Sequence, residues 1–191
     1  MFKPLCLYGL ASLILAGCSA ISPSGLVAAA RLDPLETNPN DISIAVGVPE
    51  VLHLANGDAQ LFFGFAPDGT NTPSPVGTTV PLTVSTETGP LTPIAGQAIY
   101  VFGFATSEAA QLSAVQDRMK ALKEQGVMGT GTLSVAITGG CLTGTLDDLP
   151  VATWIQTSPD SGFAQLTRPT DFLDTLPLQE RLQLIERLQP C

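Results

Sequence analysis

Few residues in this chain are able to do chemistry. Its 191 residues include one histidine, His53, four cysteines, Cys6, Cys18, Cys141 and Cys191, and only eight lysines and arginines. One histidine excludes a zinc site of two or three histidines within one chain, and a His-Glu-x-x-His helix with it. No Cys-x-x-Cys occurs, so thioredoxin-like redox chemistry has no motif, and no Gly-Lys-Ser/Thr occurs to mark a phosphate loop. Gly126-Val-Met-Gly129-Thr-Gly131 has the wrong glycine order for a dinucleotide loop, and it leaves a helix instead of opening one. Nucleophilic catalysis needs an activated Ser, Cys or Lys. Neither Gly-x-Ser-x-Gly nor Ser-x-x-Lys occurs beyond residue 17, and a Ser-His-Asp triad would have to use His53.

Carboxylates are plentiful, with 17 Asp and Glu. Asp147-Asp148 follows Gly144 in a loop sequence, and Asp58, Asp68 and Asp160 sit in turn sequences. Two carboxyls held close together could hydrolyse glycosides, but each of these has an ordinary turn role. No Asp-x-Asp-x-Asp-Gly loop marks a calcium site. Trp154, Tyr100 and the phenylalanines could line an apolar or sugar-binding cleft. Core packing is the default for so few aromatics. The inventory therefore assigns no catalytic residue, no metal ligand and no cofactor.

The elements that would position these residues are mostly strands. Ile42, Ile44, Val46 and Val48 alternate with small residues, the period of a half-buried strand. Asn56-Gly57 between Val51–Ala55 and Ala59–Phe65 predicts a two-residue hairpin. Its register would set Leu54 opposite Ala59, His53 opposite Gln60 and Leu52 opposite Leu61. Residues 67–79 read as a polar loop, and Val80, Leu82 and Val84 as an edge strand containing Pro81. Residues 97–105 form an aromatic strand with Tyr100, Phe102 and Phe104 on one side. Leu133, Val135 and Ile137 mark another strand, and 151–157 with 163–168 a further hairpin. The tetrad Phe63-Gly64-Phe65-Ala66 recurs as Phe102-Gly103-Phe104-Ala105, too short a match to establish a duplication.

Two helices are expected. The first covers about 107–125, with Leu112, Val115, Met119 and Leu122 at helical spacing and Gly126 as its left-handed stop. The second covers about 177–188, opening at Pro177 and carrying Leu178, Leu182, Ile185 and Leu188. About eight strands with small polar outer faces predict a mainly β fold, an antiparallel β-sandwich-like domain with these two helices. A crossover by the first helix would make it α+β instead.

Charge narrows the partners. Acidic residues outnumber basic ones by 17 to 8, for a net charge of −9, and no basic run occurs. Such a chain lacks the electrostatic footprint for nucleic acid.

The N-terminus points to a compartment. Lys3 precedes an apolar stretch from Leu5 to Leu15, and small residues follow, the layout of a secretory signal peptide over residues 1–17. The stretch is shorter than the roughly 20 residues of a membrane span. Leu15-Ala16-Gly17-Cys18 resembles the lipobox of bacterial lipoproteins. That resemblance covers about the first 19 residues. It implies cleavage before Cys18, a diacylglyceryl group on its thiol and acylation of the new amine. Several acyl chains would hold the protein stably on a membrane. Ser19, in place of the Asp that favours inner-membrane retention in enteric members, implies the outer membrane, with the domain facing periplasm or exterior. Residues 18–30 then form a lipidated tether and 31–191 a single β-rich domain, with a short helix over 25–32.

With Cys6 in the leader and Cys18 lipidated, Cys141 and Cys191 remain in an oxidising compartment, where a disulfide is expected. Two separate thiols, or a Cys191 paired between chains, are the alternatives. The functional expectation is a non-enzymatic envelope lipoprotein, acting as a structural or protein-interaction module for an envelope protein partner. The alternative is a periplasmic binding module for a small apolar or carbohydrate ligand.

Overall fold

The computed structural model describes residues 35–69, 72–85 and 91–191. The leader, Cys18, the tether and the helix expected over 25–32 lie outside them. The strands are β1 (Ser43–Pro49), β2 (Leu52–His53), β3 (Ala59–Pro67), β4 (Val76–Pro81), β5 (Thr83–Val84), β6 (Gln97–Gly103), β7 (Gly129–Ile137), β8 (Cys141–Leu142), β9 (Pro150–Gln156), β10 (Ala164–Asp171) and β11 (Gln189–Pro190). The helices are α1 (Thr106–Glu124) and α2 (Leu178–Arg187). The domain is mainly β, as its alternation implies, with two helices added.

The strands form three sheets. The largest, sheet A, has the order β10-β9-β1-β6-β5; sheet B has β11-β8-β2, and sheet C has β4-β3-β7. All pairs are antiparallel except the two-residue contact of β11 with β8. One face of sheet A and one face of sheet C share a core with α1. Ile44, Val46 and Phe102 come from sheet A, Leu61, Phe63 and Val80 from sheet C, and Leu112, Val115 and Met119 from α1. Burying side chains of this size contributes roughly 1.5–3 kcal/mol each. A second cluster, Ala45, Val101, Ala152 and Trp154, lies on the other face of sheet A.

α1 forms where its stripe predicts and ends as Gly126 requires. Gly126 has φ +76°. Its N–H donates to Lys123 O at 2.9 Å, and Val127 N–H donates to Leu122 O at 3.0 Å. Those two bonds are a Schellman stop. α1 carries the chain from β6 in sheet A to β7 in sheet C, so it links two sheets and is not a crossover within one.

Four expectations are corrected. Asn56-Gly57 makes a turn but no β2–β3 hairpin: β2 pairs with β8, and β3 pairs with β4 and β7. Only Gly57 has positive φ there (+88°), whereas a type I′ hairpin turn needs it at both central residues. The turn splays its flanking segments, and Asn56 Oδ1 instead accepts Val84 N–H at 2.8 Å.

The run from Val80 to Val84 is two strands. Fully buried Leu82 marks the switch from β4 in sheet C to β5 in sheet A. The loop expected over 67–79 yields its last residues, from Val76, to β4.

In α2 the anticipated apolar stripe is largely outside. Leu178 is 70% exposed, Leu182 57% and Ile185 47%, while Leu184 and Leu188 enter the core. The hydrophobic period located the helix.

Candidate functional site

Cys141 and Cys191 are joined in a disulfide with Cα atoms 4.9 Å apart. Cys141 lies on β8, and Cys191 N–H donates to Leu142 O at 3.0 Å just beyond β11. The bridge therefore fastens the end of the chain to sheet B. It reaches α2 from its C-terminal side, while Leu184 and Leu188 pack into the core. Cys18 lies outside the described residues.

His53 sits on β2 opposite Cys141 instead of Gln60, and it is exposed. No side-chain hydrogen bond reaches its ring among the described residues, so no triad assembles around it. The carboxylates are dispersed. Asp58 is used in its own turn, where Oδ2 accepts Ala55 N–H at 2.8 Å. Asp68, Asp147, Asp148 and Asp160 are exposed. Among the described residues no three His, Cys, Asp or Glu side chains come together as a metal site would need. Trp154 is buried, its ring over Gly47, where a Cβ would stand 3.2 Å from it. Tyr100 packs beside Phe102 with ring centres 6.4 Å apart. These aromatics belong to the core.

Phe62 differs. It is 39% exposed on the outer face of sheet C. Its ring covers the facing pair Gly64 and Gly77, where added Cβ atoms would lie 2.8 and 3.2 Å from it. A groove of ≈ 340 Å³ runs beside it, past Thr78, Thr79 and Thr132.

The most distinctive feature is the free side of β7. At the two ends of the β3–β7 ladder, Thr138 N–H donates to Asp58 O at 2.8 Å and Asp68 N–H donates to Met128 O at 2.9 Å. Both bonds join even-numbered residues, and the register between them is unbroken. In an antiparallel ladder the bonded pairs alternate. Thr130, Thr132, Ser134 and Ala136 therefore turn their backbone groups toward β3. Gly131, Leu133 and Val135 turn theirs away. No described strand receives them, because sheet C ends at β7.

The inner side of this edge is apolar. Leu133 is 39% exposed and lines a cleft with Ile42, Leu61, Phe63, Leu112 and Ile155, whose interior volume is ≈ 30 Å³. The amide of Gln116, at its margin, donates to Thr37 O at 2.8 Å. Gly129 at the start of β7 admits no side chain, since a Cβ would meet Ala66 O at 2.4 Å and the Phe65 ring at 2.5 Å. Among the described residues the edge is thus shaped by close packing on one side and left open on the other.

No sequence motif marked this edge. The signal present was a nine-residue strand with neither charge nor proline. Alternation identifies such a strand without saying whether both its sides are paired. Comparison with protein-family models, with curated proteins and with solved structures gives no match.

Proposed function

We propose that this chain is a bacterial envelope lipoprotein, anchored in the outer membrane through Cys18, whose β-rich domain is a non-enzymatic protein-interaction module. The observation that carries this reading is the edge of β7, unpaired among the described residues. Its outward N–H and C=O groups suit an extended protein segment, which would add a strand to sheet C. The cleft beside Leu133 would take an apolar side chain of that segment. The dispersed carboxylates and the solitary His53 lend no comparable support to catalysis.

Two experiments test it. Cys18→Ser is expected to abolish lipid labelling and membrane retention; a variant still held in the membrane through residues 1–17 would overturn the anchor. Pull-down of the full-length protein from its own envelope, alongside Leu133→Lys, tests the module. Partners captured by the first and lost from the second support the edge; identical captures count against it.

The Phe62 groove favours a second reading, a binding module for a neutral carbohydrate. An exposed ring beside threonine hydroxyls, with no charged residue lining the groove, suits an uncharged sugar. Loss of glycan binding in Phe62→Ala would support it, and no glycan binding by the unaltered protein would remove it.

A further inference from the structure

We infer that the strand which completes sheet C is β7 of a second copy, paired antiparallel about a two-fold axis at Leu133. This rests on the proposed role of the edge and names its occupant.

The backbone specifies the register. Between its terminal residues Gly129 and Ile137, the strand's outward groups belong to Gly131, Leu133 and Val135. Setting Leu133 opposite Leu133 of the second copy places Gly131 opposite its Val135, and Val135 opposite its Gly131. Each of these is then a hydrogen-bonded pair, and every outward N–H and C=O of the three residues gains a partner. A slip of one residue would set outward groups against inward ones and reverse the side-chain faces. A slip of two keeps the parity but shortens the overlap, because Leu133 is the midpoint of Gly129–Ile137.

The side chains fit the same register. On the outer face Thr132 stands opposite Ser134 of the second copy, a hydroxyl pair of the kind that supports antiparallel neighbours. On the inner face the second Leu133 arrives beside the first, over the apolar cleft that Leu133 already lines. An acidic chain of net charge −9 repels its own copy over most of its surface. It meets itself without opposed charges along β7, which has none. The two-fold also closes the contact: each copy's β7 edge is used by the other's, so pairing through β7 stops at two. The product is a continuous six-stranded sheet with β4 at both outer edges.

The interface is short, at the low end of the size range for specific contacts. A shared membrane surface would raise the local concentration and favour it. The test is therefore made on the full-length protein in its own membranes, by single-cysteine cross-linking. Bonded antiparallel pairs place Cα atoms about 5.5 Å apart, within disulfide reach. Under mild oxidation Leu133→Cys is expected to yield a covalent homodimer as the main product. Thr130→Cys, set opposite Ala136 of the second copy, and Leu178→Cys on exposed α2 are expected to link at least tenfold less. Leu133→Lys should abolish co-purification of two differently tagged copies, while Thr132→Ala retains it.

Equal cross-linking at all three positions would mean collision only and would overturn the pairing. A Leu133→Cys adduct with a different protein would overturn the second copy as occupant while leaving the interaction edge standing. No adduct of either kind, with capture unchanged in Leu133→Lys, would overturn both.

Discussion

Two long strands end sheets on different terms. β10, at the edge of sheet A, carries Arg168, Pro169 and Asp171, and its register with β9 shifts twice. Thr167 fills one irregularity with its side chain, Oγ1 accepting Thr153 N–H at 3.1 Å. Asp171 Oδ1 takes the N–H groups of Leu149 and Leu173, each at 3.0 Å. β7, at the edge of sheet C, has nine regular pairs, no charge, no proline and no bulge. Charges, proline and bulges are the usual defences of a sheet edge against a foreign strand. One long edge is defended with all three, and the other is bare among the described residues. A bare edge is an aggregation hazard unless something occupies it, so the asymmetry is itself a reason to look for an occupant at β7.

The contrast can be broken at several points. The largest effect is expected from Phe63→Ala. Phe63 is buried beneath the centre of sheet C, and its loss should cost about 3–5 kcal/mol in denaturant unfolding. A cost below about 1 kcal/mol would mean that sheet C and its edge are not built on the shared core.

Next comes the disulfide, which closes a 50-residue separation. The chain-entropy model assigns such a loop about 4 kcal/mol, an upper figure. Reduction should lower the melting temperature and admit protease to 177–191 first, with the β9–β10 hairpin still resistant. Simultaneous cleavage of both regions would remove the special role of the bridge.

A smaller effect is expected from disarming β10 with Arg168→Thr and Pro169→Val. Its two register shifts remain, so sedimentation should show at most a slight increase in association. Strong assembly would mean that charge and proline alone protected that edge.

The smallest stability change belongs to Leu133→Lys, about 0.5 kcal/mol. Leu133 is already 39% exposed, and a lysine stem can lie along the cleft with its ammonium in water. Thermal melting should barely move although pairing is lost; a large drop would make the variant a folding mutant instead of an edge mutant.

These elements were unequally legible. Local chemistry reads well: Gly126 ended α1, and the 151–168 hairpin formed. Cys141 and Cys191 found each other because so few cysteines were available. What failed was non-local. Asn56-Gly57 carried a hairpin signal, but the flanking strands had better partners in β8, β4 and β7. Alternation placed Leu133 on the inner face of β7 without revealing that β3 would be the only strand paired with β7 among the described residues. For α2 the stripe of Leu178, Leu182, Ile185 and Leu188 implied a buried face; of these only Leu188 is buried, and Leu184, outside the stripe, shares the contact. Periodicity describes one element at a time; edges and open faces belong to the assembly of all of them.

The central claim, that β7 offers a free strand edge, is tested most directly by residue-resolved amide hydrogen exchange across a dilution series. In dilute protein, exchange along β7 is expected to alternate. Thr132, Ser134 and Ala136 should be protected by β3, while Gly131, Leu133 and Val135 exchange quickly. As concentration rises, protection should spread to those three amides. Uniform protection along β7 at every dilution, or slow exchange at Leu133 beside fast exchange at Thr132 and Ser134, would contradict it.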